Sequence, residues 1–467
     1  MKKNLLSILI AFCAFSGFAQ READNWQFGL NLGMNFSTGV PNVIGSQVGT
    51  GEGCSSISNA ATGALLFYTN GVFVWDKNGT IMPNGSGLLG DSSSTQAALI
   101  VPQPGSANIY YVFTTDAMGG ADGFKYSVVD MSLNSGLGDV TTKNFAVLTP
   151  VTEKLAAVKD PATNDYWIMV HEWGNSDFYA YKLTSAGLMN PVVSSVGSPH
   201  TTGVPFNTYG QMKFNGCGTK LGVAIGYQDS GEIFDFNSTT GVVSNPVFLS
   251  LPDHAYGLEF SPGGNLVYIS NYGQSGGAAT LMQFDLSAGN SAAVMATQIN
   301  LNVGSDIRGM QLSNDGKIYC VRSYNQYLGT INRPDSIGAN CNYVDISVDL
   351  DPNFNGRIAG SSLTGFPANF VIDETACSAL AVKNHSFQTK NVSVFPNPSP
   401  SGFSFVTNEN YSSVAVYDYA GKLVENFNGI SKANKFSFGE NYEKGIYLVR
   451  FTNEKEVVSV KIVKAAE

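Results

Sequence analysis

The sequence contains few charged residues and few histidines. Charged side chains make up 13% of its 467 residues, about half the usual share of a globular protein, and there are 4 His. Residues 20–391 hold 16 Lys and Arg against 28 Asp and Glu, without a basic cluster. An acidic chain of this kind argues against nucleic acid or an anionic membrane surface as a partner. We interpret the acidity as a property that keeps the folded body soluble.

Cysteine is also scarce, and its spacing matches no metal site. The sequence has no CxxC pair and no Cys/His cluster, so neither a zinc site nor any other cofactor is predicted. After the first twenty residues the number of cysteines is odd, which leaves at least one without a partner in the chain. These cysteines are Cys54, Cys217, Cys320, Cys341 and Cys377.

Long apolar runs are absent except at the N-terminus. Lys2 and Lys3 precede an apolar stretch, Leu5–Phe15, and small residues follow at Gly17–Ala19. This order is typical of a signal peptide, predicted over residues 1–19, and the run is too short for a lasting membrane anchor. We therefore expect export across the inner membrane and no transmembrane anchor in the mature chain.

Stretches that favour helix are almost missing. The sequence has instead 51 Gly and 12% aromatic residues, together with abundant Asn, Ser, Thr and Val. This mixture is typical of many short strands joined by tight turns. The fold class predicted from composition is therefore all-β.

A unit of about fifty residues recurs along the chain. Each copy reads as an apolar strand, a polar turn and a second strand rich in aromatic residues, and several copies add a third strand. Four-stranded units at this period indicate a β-propeller, predicted here over residues 20–377. The second strands of the six copies begin at Leu65, Ile109, Tyr166, Leu221, Leu266 and Ile318.

The two ends of this region are predicted to close the propeller. Phe366–Asp373 reads as the first strand of a seventh blade, and Asn25–Ser37 reads as a strand pair that completes it. Such closure would hide the open sheet edges. Seven blades are expected, with six or eight left open as alternatives.

The repeats resemble known propellers in their sequence motifs. The turns SPGGNLVYIS at Ser261 and SNDGKIYCV at Ser313 resemble those of WD-repeat-like and YVTN-type propellers. The phrases NWQFG at Asn25 and STQAALIVPQPG at Ser94 resemble a family of secreted propellers from bacteria with the type IX secretion system. One departure is GFPANF at Gly365, where that family usually reads GLPNF. The resemblance implies a fold and export rather than an activity.

The C-terminal region, residues 392–467, differs in composition. It holds eight Lys and Arg and eight Asp and Glu, and it lacks the fifty-residue repeat. Its alternating apolar stretches, separated by Asn-Pro and Ala-Gly turns, predict a small β-sandwich. Residues 378–391 are predicted to be a linker.

Four short sequence motifs, here called marks, occur in order in this region: FPNP, YDYAGKLV, KGIYLVRF and VVSVKIVK. Together they resemble the type A sorting domain of type IX secretion cargo. The resemblance implies recognition by the outer-membrane secretion machinery, delivery to the cell surface or the extracellular space, and removal of the domain at the linker. The residues that carry it are Phe395, Pro396, Asn397, Pro398, Gly421, Lys444, Gly445, Ile446 and Tyr447.

His171, Glu172 and Trp173 form the most reactive-looking cluster, at the end of the third copy's second strand. The stretch lacks the second His of an HExxH zinc site, and a strand would direct His171 and Glu172 to opposite faces. A hydrogen-bonded structural role is therefore favoured over ligand binding.

Asp351, Asn353 and Asn355 resemble the first half of a calcium-binding EF-hand loop. The twelfth position is Ser362 instead of Glu, and no helices flank the stretch. A turn is therefore favoured over a weak calcium loop.

Two classes of function are compatible with this sequence. The first is a binding or adhesion protein that presents a propeller face to a glycan or a protein. The second is an extracellular hydrolase or lyase that acts on a polymer through carboxylates at the mouth of the propeller channel. Propellers serve both classes, and since no catalytic motif is present, we assign no catalytic residue and favour binding.

Overall fold

The structure is a computed structural model, and it describes residues 20–201, 205–273, 279–301, 303–353, 355–372, 392–418, 421–432, 435–453 and 457–465. The chain forms two compact units, Met1–Cys377 and Ser378–Glu467. Strand accounts for 52% of the structure and helix for 6%. The predicted signal peptide and linker lie outside the described residues.

The first unit contains seven small sheets among its described residues, here numbered in chain order. Sheet 1 consists of β1 (Asn25–Phe28), β2 (Leu30–Asn35) and β3 (Asn42–Gly49). Sheet 2 contains β4 (Cys54–Ser58), β5 (Leu65–Thr69), β6 (Phe73–Asp76) and β7 (Ile81–Ser86). Sheet 3 consists of β8 (Ala98–Pro102), β9 (Ile109–Thr115), β10 (Phe124–Asp130) and β11 (Asp139–Leu148).

Sheets 4 to 7 follow the same antiparallel order, and sheet 4 has one additional short strand. Their strands are β12 (Val151–Lys159), β13 (Tyr166–Glu172), β14 (Asp177–Thr184), β15 (Gly187–Leu188) and β16 (Val192–Ser195); β17 (Met212–Phe214), β18 (Lys220–Ile225), β19 (Ser230–Asn237) and β20 (Val242–Ser250); β21 (Ala255–Phe260), β22 (Leu266–Asn271), β23 (Thr280–Asp285) and β24 (Ile299–Asn300); and β25 (Ile307–Leu312), β26 (Ile318–Arg322), β27 (Tyr327–Ile331) and β28 (Tyr343–Asp349).

Helices in the described residues are short. The single α-helix there, α1, covers Ser291–Met295. The 3-10 helices cover Ala117–Gly119, Asn134–Gly136, Pro205–Thr208, Leu286–Ala288, Gly338–Cys341 and Ala368–Val371. No helix in the described part of the chain has the length and apolar composition needed to cross a membrane.

The repeat turns of the sequence connect the first two strands of their sheets. The turn before β22 places Gly264 at a φ of +71°, and the turn before β26 places Gly316 at +77°. Glycine reaches these values without steric cost, so the hairpins form locally. Five of the six second strands begin at the expected residue, and β18 begins one residue early, at Lys220.

The sheets of the first unit pack side by side into a closed ring. The first strands of successive sheets contact each other, from β4 through β8, β12, β17 and β21 to β25, and β1 contacts β4. Sheet 7 meets sheet 1 where the Tyr319 ring lies 5.7 Å from Trp26 and 5.4 Å from Phe36. This ring of small antiparallel sheets is a β-propeller, and the all-β fold is confirmed. The count of seven blades stays a prediction, because sheet 1 has three described strands whereas the others have four or five.

The predicted composition of the closing blade is wrong. Phe366–Asp373 does not form a first strand there: its described part contains the 3-10 helix Ala368–Val371. The strand before it, β29 (Thr364–Gly365), pairs in parallel with β4 of sheet 2. The chain leaves the strand ladder at Pro367, because proline fixes φ and lacks the N–H that a ladder needs. Asn25–Ser37 forms its sheet with β3 instead.

The two ends of the first unit nevertheless contact each other. The hydroxyl of Thr364 accepts a hydrogen bond from the Gln27 N–H and donates one to the Gln27 carbonyl, both at 2.9 Å. The Leu30 N–H donates to the Ile358 carbonyl at 3.0 Å. These bonds join sheet 1 to the end of the propeller sequence without a shared strand pair.

The cysteines of the first unit divide into bonded and free. Cys217 is disulfide-bonded. Cys54, Cys320 and Cys341 are free and buried.

The second unit contains two sheets that share one hydrophobic core, as the predicted β-sandwich requires. One sheet pairs the first, second and fifth of the seven described strands, and the other, here called sheet 9, pairs the remaining four in the spatial order fourth, third, sixth and seventh. The strands are β30 (Val392–Phe395), β31 (Phe403–Thr407), β32 (Tyr411–Asp418), β33 (Leu423–Ile430), β34 (Lys435–Phe438), β35 (Gly445–Thr452) and β36 (Val457–Lys464).

Candidate functional site

An open pocket of about 650 Å³ lies at one edge of the propeller. In sheets 5 to 7 the first strand begins, and the antiparallel second strand ends, at the same edge. The residues that line the pocket lie at this edge, in the 3-10 helix Pro205–Thr208, at the start of β25 and in the segments that flank the strand ends of sheets 5 to 7. We call it the aromatic pocket, and its lining is Phe206, Tyr209, Tyr227, Tyr272, Gly273, Ala279, Asp306 and Arg308.

Arg308 is the cation of the aromatic pocket. Its guanidinium carbon lies 3.8 Å from the centre of the Tyr272 ring and 5.5 Å from that of Tyr256, close enough for a cation–π interaction. Its Nε lies 3.1 Å from both carboxylate oxygens of Asp306. These contacts orient the guanidinium, and they place a charged donor beside a charged acceptor in the same wall.

The carboxyl group of Glu52 lies next to this wall. It accepts a hydrogen bond from the Tyr256 hydroxyl at 2.7 Å. Burial raises the pKa of Glu52 to about 7, the negative charge of Glu153 adds to that rise, and Arg308 opposes it in part. Glu52 therefore exchanges its proton near neutral pH.

Glu153 and Lys154 support the pocket from inside the fold. The Glu153 carboxylate accepts hydrogen bonds from the N–H and the hydroxyl of Thr95, each at 2.8 Å. The Lys154 ammonium donates to the carbonyls of Thr208, at 2.8 Å, and of Tyr209. Burial lowers the pKa of Lys154 to about 7, although the Glu153 charge raises it. This buried pair fixes the segment that carries Tyr209.

A His–Asp pair borders the aromatic pocket. His254 Nδ1 is hydrogen-bonded to the Asp253 carboxylate, and the His254 ring lies 3.9 Å from the ring of Tyr227 and 5.6 Å from that of Tyr272. Asp229 Oδ1 is 3.9 Å from the same nitrogen. These three are the one group of His, Cys, Asp or Glu in the described residues with ligand atoms close enough for a metal. Since His254 and Asp253 satisfy each other, we interpret them as a hydrogen-bonded pair.

The residues singled out from the sequence lie elsewhere. The His171 side chain is buried, 3.8 Å from the His200 ring and 4.5 Å from Phe178. Burial, with the charge of Lys154, lowers the pKa of His171 to about 3. His171 Nδ1 lies 2.8 Å from the carbonyl oxygen of Glu172.

Glu172 and Trp173 do not join His171 in a common site. The Glu172 carboxylate accepts hydrogen bonds from Asn175 Nδ2 at 2.6 Å and from the Tyr179 hydroxyl at 3.1 Å. The Trp173 indole packs beside Gly119. None of the three lines the aromatic pocket, and their structural role stays a prediction.

Asp351 is engaged by its own turn. Its two carboxylate oxygens accept hydrogen bonds from the N–H groups of Asn355, at 2.6 Å, and Gly356, at 2.8 Å. The Asp351 carboxylate is therefore occupied by backbone N–H groups four and five residues further along the chain. Asn355 thus contacts Asp351 through its backbone, and the Asn353 side chain forms no hydrogen bond within the described residues.

The residues of the aromatic pocket were not identified from the sequence. A usable signal exists in the repeat: an aromatic residue follows the second strand in four successive copies, as Trp173, Tyr227, Tyr272 and Tyr324. Two of these four line the pocket. Aligning the copies at that position would have drawn attention to this edge of the propeller.

Residues 393–465 match the family model described as the secretion system C-terminal sorting domain. The second unit is therefore a sorting domain of the type IX system, as the ordered marks in the sequence indicated. A chain with this tail is an exported protein, directed to the cell surface or the extracellular space.

Several solved structures resemble the chain weakly. A functionally unknown protein from Desulfotomaculum acetoxidans is 12% identical over 72% of this chain and 96% of its own, with a TM-score of 0.42. The periplasmic gluconolactonase of Pseudomonas aeruginosa is 14% identical over 77% and 97%, at 0.36. The virginiamycin B lyase of Staphylococcus aureus is 9% identical over 64% and 85%, also at 0.36.

These likenesses are too weak to carry an argument about this protein. No curated protein matches the sequence. The function must therefore be argued from the site itself.

Proposed function

We propose that this exported protein is a binding or adhesion protein that holds a glycan in the aromatic pocket. The observation that carries the proposal is the lining of the pocket, in which four aromatic side chains occur together with the Arg308–Asp306 pair. Aromatic faces pack on the apolar faces of sugar rings. A guanidinium donor beside a carboxylate acceptor suits the hydroxyl groups of a sugar, which both donate and accept.

The size and rigidity of the aromatic pocket support this assignment. Its volume of about 650 Å³ falls within the roughly 300–1,000 Å³ of small-molecule sites. Lys154 holds the segment of Tyr209, and the Arg308 contacts hold Tyr272. A site held in place before binding loses less conformational entropy when a ligand arrives.

Substitution of one pocket ring tests the proposal. We expect Tyr272→Ala to weaken binding of an oligosaccharide by about tenfold, because the variant loses a stacking face. Titration calorimetry of the intact protein against neutral and acidic oligosaccharides of several linkage types measures this.

Tyr324→Ala is the matched control for Tyr272→Ala. Tyr324 follows the second strand of its copy as Tyr272 does, but it does not line the aromatic pocket. The proposal fails if no oligosaccharide binds, or if both variants bind as the unaltered protein does. If a protein binds in place of any oligosaccharide and this binding requires Tyr272, the aromatic pocket is still the binding site but its ligand is a protein.

A hydrolase or lyase acting on an extracellular polymer is the second candidate, and Glu52 favours it. A general acid or base works best when its pKa is near the working pH, and Glu52 has a pKa of about 7 beside Arg308 and Tyr256. Under this alternative, Glu52→Gln abolishes release of oligosaccharides from the polymer while leaving affinity nearly unchanged. Chromatography of the polymer after incubation with the unaltered protein tests this alternative. If the polymer stays intact after long incubation, the protein is not a hydrolase or lyase of that polymer.

A further inference from the structure

One face of the sorting domain carries apolar side chains that its core does not use. In sheet 9, Val449 and Phe451 of β35 point into the core, whereas Ile446 and Leu448 alternate to the other side and are 47% and 40% exposed. Leu423 on β33 is 52% exposed. Exposed aliphatic side chains at this density need a reason other than folding.

The strand register brings these side chains together. Tyr417 lies between Leu423 and Leu448 on neighbouring strands, because it is paired with both. Ile446 is paired with Val463 on the next strand. These five residues form one continuous patch across four strands, which we call the apolar face.

Among its described residues, the other sheet of the sandwich has one exposed large apolar side chain, Phe395, which is 41% exposed and is paired with Ser404 on the outer side. Ser404 and Ser437 are paired there, with their hydroxyl groups 3.2 Å apart. Val406 is paired with Lys435 in the same ladder. The larger apolar surface, with several exposed aliphatic side chains on adjacent strands, therefore lies on sheet 9.

Basic side chains border the apolar face. Arg450 and Lys461 lie on the same side of sheet 9, and Lys422 and Lys444 lie in the turns beside Leu423 and Ile446. All four are exposed, and none forms an ion pair within the described residues. A partner that fits this surface presents apolar side chains bordered by carboxylates.

We propose that the apolar face is the surface on which the outer-membrane secretion machinery docks. Sheet 9 lies within the residues that match the sorting-domain family, whose task requires recognition by another protein. The exposed residues also occur in two of the marks that identify the domain, YDYAGKLV and KGIYLVRF. Packing explains Tyr447 and Val449 in those marks, whereas docking explains Leu423, Ile446 and Leu448.

Single substitutions in the full chain test the docking surface. We expect Leu448→Ser to lower the secreted fraction by about tenfold, because it removes apolar contact area from a partner. Val406→Ser, on the outer side of the other sheet, should be secreted normally. Lys461→Glu should likewise impair secretion, whereas Lys435→Glu should not. Cell fractionation measures these yields, and normal secretion of Leu448→Ser overturns the proposal.

A cross-linking measurement separates docking from misfolding. A photoreactive amino acid at position 448 should cross-link in living cells to an outer-membrane component of the secretion system, whereas one at position 406 should not. A cross-link from position 448 to the propeller unit of the same chain, or to a second copy of the chain, would show that the face has another occupant and would refute the proposal. The same holds if the two positions give identical products.

Discussion

The carboxyl group of Glu52 links the electrostatics of the aromatic pocket to the stability of the fold. Its ordinary pKa of 4.5 rises to about 7 in the folded protein, chiefly through burial and then through Glu153. Between these two values the folded state binds more protons than the unfolded state does. Its contribution to stability is therefore complete below about pH 4.5 and is lost as the pH rises through about 7.

This linkage predicts a pH-dependent difference between two variants. The melting midpoint of the unaltered protein should fall between pH 5 and pH 8 by a few degrees more than that of Glu52→Gln, which cannot lose a proton. Glu443→Gln, which alters an exposed carboxyl group, is the control and should follow the unaltered protein. Parallel curves for Glu52→Gln and the unaltered protein would mean that Glu52 does not carry this shift.

At the scale of strands and turns, the sequence predicts those elements whose geometry depends on neighbouring residues alone. Gly264 and Gly316 define their hairpins through backbone angles that need no distant partner, so the second strands were placed within one residue. The stretch after Gly365 was misassigned because its role depends on which strand it meets. An apolar stretch reads as a strand, but the pairing with β4 ends at Gly365, before this stretch begins.

The aromatic pocket shows the same limit on prediction from sequence. Tyr209 precedes sheet 5, Tyr272 follows the second strand of sheet 6, and Arg308 lies in the first strand of sheet 7. Each alone reads as an ordinary residue in or beside a strand. Their joint chemistry arises from the side-by-side packing of sheets 5 to 7, which brings these residues to one edge. His171 and Glu172, by contrast, are adjacent in sequence and conspicuous, yet the alternation of a strand separates their side chains.

At the scale of the whole molecule, export and the stability of the propeller depend on different parts of the chain. The sorting domain has its own core and forms a compact unit by itself. The propeller depends on its N-terminal residues, since Trp26 and Phe28 are fully buried within the same core that holds Tyr319 and Phe366. Export and stability of the propeller should therefore respond to different truncations.

Two truncations test this separation, and the expected order of their stabilities follows from burial. Removing Asn25–Ser37 deletes sheet 1 up to β3, exposes the faces that Trp26 and Phe28 cover, and opens the ring between its neighbours. Burying an aromatic side chain contributes about 3–5 kcal/mol, and an opened ring exposes sheet edges that promote aggregation. We expect the melting midpoint of the propeller to fall by more than about 10 °C. Removing residues 392–467 should leave that midpoint unchanged, and calorimetry of both truncations beside the intact chain measures the difference. A propeller that melts normally without Asn25–Ser37 would show that sheet 1 covers the ring without closing it.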